Sequence, residues 1–124
     1  MKHGESNLQR QCVKWFRMQY PRKSLLLNSV PNGARVKRTQ AQVLLSEGMT
    51  KGVADLELNV ARGGFHGLKI EMKREYVDDA GHKKKTYQEP EQRDWQAAVE
   101  AEGYKYAVVS TLDEFQQLIN EYLR

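Results

Sequence analysis

Val53-Ala54-Asp55-Leu56-Glu57-Leu58-Asn59-Val60, Gly63-Gly64 and Leu68-Lys69-Ile70-Glu71-Met72-Lys73 decide the fold. The first run alternates, with Ala54, Leu56, Leu58 and Val60 on one side and Val53, Asp55, Glu57 and Asn59 on the other. Leu68, Ile70 and Met72 alternate with Lys69, Glu71 and Lys73 in the same way. Period two is the signature of half-buried strands, and the glycine pair between them turns the chain. A two-residue Gly-Gly turn sets Asp55 opposite Met72 and mismatches both faces. An odd loop centred on Gly63 sets Asp55 opposite Glu71 and keeps each face consistent, so the sequence predicts that register.

The elements around this hairpin follow from periodicity and breakers. Leu8, Cys12, Trp15 and Phe16 form the core stripe of a helix from Glu5 to about Gln19, with Glu5 and Gln9 at the edge of that stripe and Pro21 at its exit. Ser24 to Val30 reads as a short strand and Pro31-Asn32-Gly33 as a turn. Val36 to Glu47 reads as a second helix, packed by Val43 and Leu44 and stopped by Gly48. Tyr76 to Tyr87, with Asp78, Asp79, Gly81 and Lys83-Lys84-Lys85, reads as a mobile, solvated loop. Pro90 opens a helix over Glu91 to Glu102, with Trp95, Ala98 and Val99 on one side and Gly103 at its end. Tyr106 to Val109 is a strand. Thr111 to Glu114 is a capping box for a last helix whose core face is Phe115, Leu118, Ile119 and Tyr122. The order αβαββαβα predicts an α/β fold, a small mixed β-sheet flanked by helices.

Bulk properties narrow the class. A chain of 124 residues with 40% hydrophobic and 29% charged residues suits one folded domain, spanning 1–124. Net charge +4 and a pI near 9.2 suit a polyanionic partner without demanding one. Cys12 stands alone, which excludes an intrachain disulfide and a zinc-thiolate centre and suits a reducing, intracellular setting. No signal-peptide pattern and no membrane-length apolar run are present, so no membrane partner is expected.

Two carboxylates facing each other on a hairpin repel unless a proton or a cation is shared between them. A hard divalent ion resolves the conflict, since Mg²⁺ takes oxygen ligands and keeps positions open for water and phosphate. Such an ion polarises a phosphoryl oxygen and acidifies a bound water. Lys73 shares the face of Glu71, where an ammonium can orient the nucleophile or stabilise phosphate charge. Met72 points its side chain inward and leaves its backbone carbonyl as a further oxygen ligand. Glu5, at the mouth of the first helix, can close the site, although the helix dipole alone also favours an acid in a first turn. Against this stands the plain alternative that Glu71 and Lys73 form a surface ion pair of little value. Glu57 is read as a rim residue, His3, His66 and His82 as bystanders, and Trp15 and Trp95 as core. The Lys83, Lys84 and Lys85 run is ordinary solvated loop unless a phosphodiester site lies beside it, where it grips the backbone.

Glu5 in an opening helix, Pro31-Asn32-Gly33, Gly48 with Gly52-Val53-Ala54-Asp55-Leu56, Glu71-Met72-Lys73, and Gln92 and Trp95 with Gly103-Tyr104 together resemble the VRR-NUC family. These are the virus-type replication-repair nucleases of the PD-(D/E)XK superfamily, and the likeness runs from Glu5 to the last helix. It resembles the short stand-alone phage and prophage members. The resemblance implies a restriction-endonuclease-like core and Mg²⁺- or Mn²⁺-dependent DNA cleavage. It also implies metal ligation by Asp55, Glu71 and the Met72 carbonyl, with Glu5 contributing through water. Lys73 would be the catalytic lysine and Gln92 the supporting glutamine. The family's usual proline before the aspartate is Ala54 here. The resemblance further implies a homodimer acting on branched DNA, the four-way (Holliday) junction first, in DNA repair within a bacterial cytoplasm, free or nucleoid-associated. A monomeric flap or single-strand nuclease, or a non-catalytic DNA-binding subunit of the same fold, are the alternatives.

Overall fold

The computed structural model describes residues 3–31, 37–85 and 87–124. Helix α1 spans His3–Gln19 and seats Cys12 and Phe16 with no exposed surface, while Leu8, Val13 and Trp15 lean on the same core. Burial pushes the Cys12 thiol up to about 12, so it packs as a small apolar group. Pro21, with its fixed φ, starts a tight 3₁₀ segment, Pro21–Leu26. The strand expected from Ser24 is therefore confined to β1, Leu27–Ser29. Asn32, Gly33 and Val36, which belong to the expected turn and helix start, lie outside the described residues. Helix α2 covers Arg38–Ser46 and contributes no buried residue. Leu44 is half-buried, but Val43 is 56% exposed and does not make the packing expected of it.

Strand β2 is Leu56–Leu58 and β3 is Leu68–Met72. They pair antiparallel as Leu56 with Ile70, Glu57 with Lys69 and Leu58 with Leu68. Continued by one residue, this register sets Asp55 across from Glu71, as the alternation requires. The turn itself differs from the odd loop expected. Arg62 and Phe65 bridge across Gly63 and Gly64, whose φ values of 57° and 86° meet the demand of a type I′ turn for two positive angles. Three residues, 59–61, then lie between this bridge and β2, against two, 66–67, on the return side. A tight even turn and one extra residue, acting as a bulge does, together restore the odd register.

The segment after Lys73 is a second correction. Instead of a mobile loop, β4 (Glu75–Val77) and β5 (Lys83–Lys85) form an antiparallel ribbon. Asp78 holds its turn: its Oδ1 accepts from the backbone N–H groups of Ala80 and His82 at 3.0 and 2.8 Å, and Gly81 takes φ 83°. Such a side-chain turn has the look of a solvated loop in sequence. Helix α3 (Pro90–Ala101), strand β6 (Lys105–Val109) and helix α4 (Leu112–Leu123) complete the chain. The Thr111 hydroxyl accepts from Glu114 N–H at 3.1 Å, the cap its spacing predicts.

Among the described residues the main sheet has the order β1-β2-β3-β6. β6 joins β3 in parallel, which α3 makes possible as the crossover. Helices α1 and α4 meet over the apolar face, where Leu56, Leu58, Leu68, Ile70 and Met72 pack with Phe16, Phe115 and Ile119. Helix α3 lies against β6 on the other face, the one that carries Glu71. Trp15 joins the core edge-on to Phe115. Trp95 does not: it is half-buried on the polar face against Tyr106, its ring centroid 6.2 Å away. Ala98, expected beside it, is exposed.

Candidate active site

Asp55 is 6% exposed, Glu71 2% and Lys73 8%, in a sheet whose apolar face already holds the core. That burial removes the surface ion-pair alternative, because an exposed pair would be solvated. Each group is held through the backbone around it. Asp55 Oδ2 accepts from Met72 N–H at 2.8 Å, a bond across the hairpin that ties the aspartate to the strand of Glu71. Lys73 N–H donates to Val109 O at 2.8 Å and extends the pairing with β6 past the end of β3. Met72 turns its side chain into the core, as alternation predicts.

The electrostatics are those of a carboxylate pair short of positive charge. Burial, then the charge of Asp55 and a hydrogen bond to it, push Glu71 up to about 9. Burial also raises Asp55, with the Met72 N–H and Glu71 pulling it back. Lys73 lowers both and Glu5 raises both, so the helix-borne acid sits within electrostatic reach of the pair. Glu71 Oε2 is buried with no hydrogen-bond donor among the described residues. A shared proton or a bound cation would give that oxygen its partner.

Gln92, expected beside the site, bonds in two directions. Its Nε2 donates to Glu71 Oε1 at 2.9 Å, while its Oε1 accepts from Glu89 N–H at 2.8 Å as half of the capping box of α3. One amide thus fixes both the helix start and the orientation of the glutamate. Gly52 sets the distance. At φ 90° it lies so close to the first turn of α3 that an added Cβ would fall 2.4 Å from Glu91 O and 2.8 Å from Gln92 N. Gln92→Ala is expected to cut any metal-dependent turnover by roughly 10–100-fold and to raise the metal concentration for half-maximal rate. Gly52→Ala should do the same by displacing the helix. Rates measured across a metal titration check both, and an unaltered metal requirement in Gln92→Ala would detach Gln92 from the site.

Further residues on this face lay outside the sequence reading. Lys69 pairs with Glu57 at 3.3 Å and stands 4.6 Å from the Tyr104 ring centroid, which makes Glu57 a partner of Lys69 at the rim. Gln88 Nε2 donates to the Tyr106 hydroxyl at 3.1 Å and to Gln96 Oε1 at 3.0 Å, and burial pushes Tyr106 up to about 12. The repeated glutamines at 88, 92 and 96 were the available signal. Lys83 and Lys84 stand exposed on β5, Lys83 bound to Glu75 at 3.1 Å, and Lys85 closes the strand. His66 packs edge-on to Tyr104 and His82 lies 3.6 Å from Asp78; neither joins the carboxylates. The side chain of His3 lies outside the described residues.

Among the described residues no three His, Cys, Asp or Glu side chains gather at one point. Two carboxylates still fit Mg²⁺ or Mn²⁺, which commonly take one or two from the protein and fill other positions with water and substrate phosphate. The orphaned Glu71 oxygen supports that fit.

Fold and site together define a mixed-sheet α/β protein with a buried Asp, Glu and Lys gathered on one sheet face beside a supporting glutamine. Among solved structures it matches a protein described as a "VRR_NUC domain protein", with a TM-score of 0.78 and 23% identity, over 99% of this chain and 90% of that one. The fold is therefore that of a VRR_NUC domain, as the resemblance implied. No family model and no curated protein matches the sequence.

Proposed function

We propose that this chain is a metal-dependent DNA endonuclease of the stand-alone phage or prophage type, acting on branched DNA. The observation that carries the reading is the buried Asp55 and Glu71 pair, with Lys73 beside it and Gln92 holding Glu71. Asp55, Glu71 and the Met72 carbonyl would hold Mg²⁺ or Mn²⁺, with Glu5 reaching it through water. When bound, the ion supplies Lewis-acid activation of the phosphate and an acidified water. Lys73 orients that water and offsets the charge that builds on the phosphate. Gln92 keeps Glu71 aimed. The alanine at position 54 contributes no oxygen ligand, as proline would not, so the chemistry is unaffected by that exchange.

Symmetric cutting of a four-way junction needs two such sites related by a two-fold axis, which a homodimer supplies. The deciding experiment is a cleavage panel of four-way junction, flap, duplex and single strand, with and without Mg²⁺ or Mn²⁺. Paired, symmetric nicks on the junction are expected. Preference for the flap, together with a monomeric mass by light scattering at micromolar concentration, would replace junction resolution with flap cleavage. Replacing Lys83, Lys84 and Lys85 with Ala is expected to weaken binding and lower the salt slope by about two to three. A slope equal to wild type would return that strand to plain solvation. Among the described residues no helix is long and apolar enough to cross a membrane.

A further inference from the structure

Eight Lys or Arg residues and no Asp or Glu lie between Glu5 and Glu47, whereas acids are spread through the rest of the chain. Three of these basic residues, Arg10, Lys14 and Arg17, recur at helical spacing on the exposed side of α1. They line one open groove of about 560 Å³ between that helix and the edge strand β1. Among the described residues none of the three has a carboxylate partner; Arg10 donates only to Asn7 Oδ1, at 3.2 Å. Like charges one helical turn apart repel.

None of Glu5, Asp55, Glu71 and Lys73 lines the groove, but a chain neighbour of Glu5 does. Its near end is formed by Ser6, next to Glu5, and by Ser29, beside Val30, whose N–H donates to Asp55 O at 2.9 Å. Its far end is Arg17. Arg10 to Arg17 covers about 10 Å of helix axis at 1.5 Å per residue. Measured along a duplex axis, that is about three steps of one strand at about 3.4 Å each.

We propose that the α1–β1 groove is a nucleic-acid strand tract, in which Arg10, Lys14 and Arg17 grip successive phosphates of the strand leading away from the scissile bond. The assignment rests on the nuclease reading above and extends it to the substrate outside the metal site. Occupancy by an acidic protein surface is the competing outcome. The tract is separate from the β5 lysines, since it runs along the first helix and the opposite edge of the hairpin.

Anisotropy of labelled duplex and four-way junction DNA in EDTA, over a series of salt concentrations, tests it with wild type and the triple variant Arg10→Gln, Lys14→Gln, Arg17→Gln. All three side chains are exposed, so the fold should survive, which circular dichroism checks. Wild type is expected to bind. The variant should lose about two to three from its salt slope and roughly tenfold or more in affinity at moderate salt. In Mn²⁺ it should show a higher KM at an unchanged saturated rate. Wild type that binds and cleaves DNA while the variant keeps the full slope would overturn the tract and leave the nuclease reading standing. Wild type that neither binds nor cleaves any DNA would remove both.

Discussion

Asp55→Asn, Glu71→Gln and Lys73→Ala are each expected to lower DNA cleavage by at least about 10²–10³-fold, with junction binding largely retained. Asp55→Asn is the most discriminating, because asparagine keeps an oxygen to accept from Met72 N–H and so preserves the cross-hairpin bond. What it removes is the negative charge a divalent ion needs. Glu71→Gln keeps the acceptor for Gln92 in the same way. Lys73→Ala removes a buried cation whose charge offsets both carboxylates. Single-turnover cleavage in Mn²⁺, with binding measured in parallel by anisotropy, separates lost chemistry from lost affinity. Cleavage at the wild-type rate by any one of the three would place the reacting centre elsewhere.

In metal-free protein, Glu71→Gln is expected to become more stable than wild type as pH rises. Burial and Asp55 raise Glu71 from 4.5 in the unfolded chain to about 9 in the fold, so the folded state binds that proton more tightly. For a group whose pKa rises on folding, the stabilisation is complete below the unfolded value and is lost as pH climbs through the folded one. Wild type should therefore lose stability relative to Glu71→Gln between about pH 4.5 and 9, the window set by those two values. The gap should reach on the order of 2–4 kcal/mol at the alkaline end. Adding Mn²⁺ should close it by raising the Tm of wild type alone, since the ion takes over the proton's place. Thermal melts across pH in EDTA and in Mn²⁺ provide the measurement. A constant difference at every pH would mean that Glu71 ionises freely in the fold.

The carboxylate pair was legible in sequence because a strand has a strict period. Ala54, Leu56 and Leu58 against Ile70 and Met72 fix the register, and the register fixes Asp55 against Glu71. Pattern and pairing are one constraint seen twice. The ribbon at 75–85 was not legible because its strands are short and lysine-rich, and its order comes from Asp78 bonding backbone groups. The 3₁₀ start at Pro21 hid because Leu25 and Leu26 supply a strand's composition without a partner strand there. Trp95 was misassigned because helical spacing reports that a face is covered, not by what. The double role of Gln92 needed the approach of Gly52 to α3, a contact between segments forty residues apart.

The single surplus residue between β2 and the Gly63–Gly64 turn carries a rule about descent. Losing one residue at 59–61 would leave two residues on each side of the Arg62–Phe65 bridge, so Leu58 would still meet Leu68 and only the bulge would vanish. Gaining one, with the turn and bulge unchanged, would set Leu58 against Lys69 and turn the side chains of β2 to the wrong faces. Relatives of this chain should accordingly accept a shorter connection here more readily than one lengthened by a single residue.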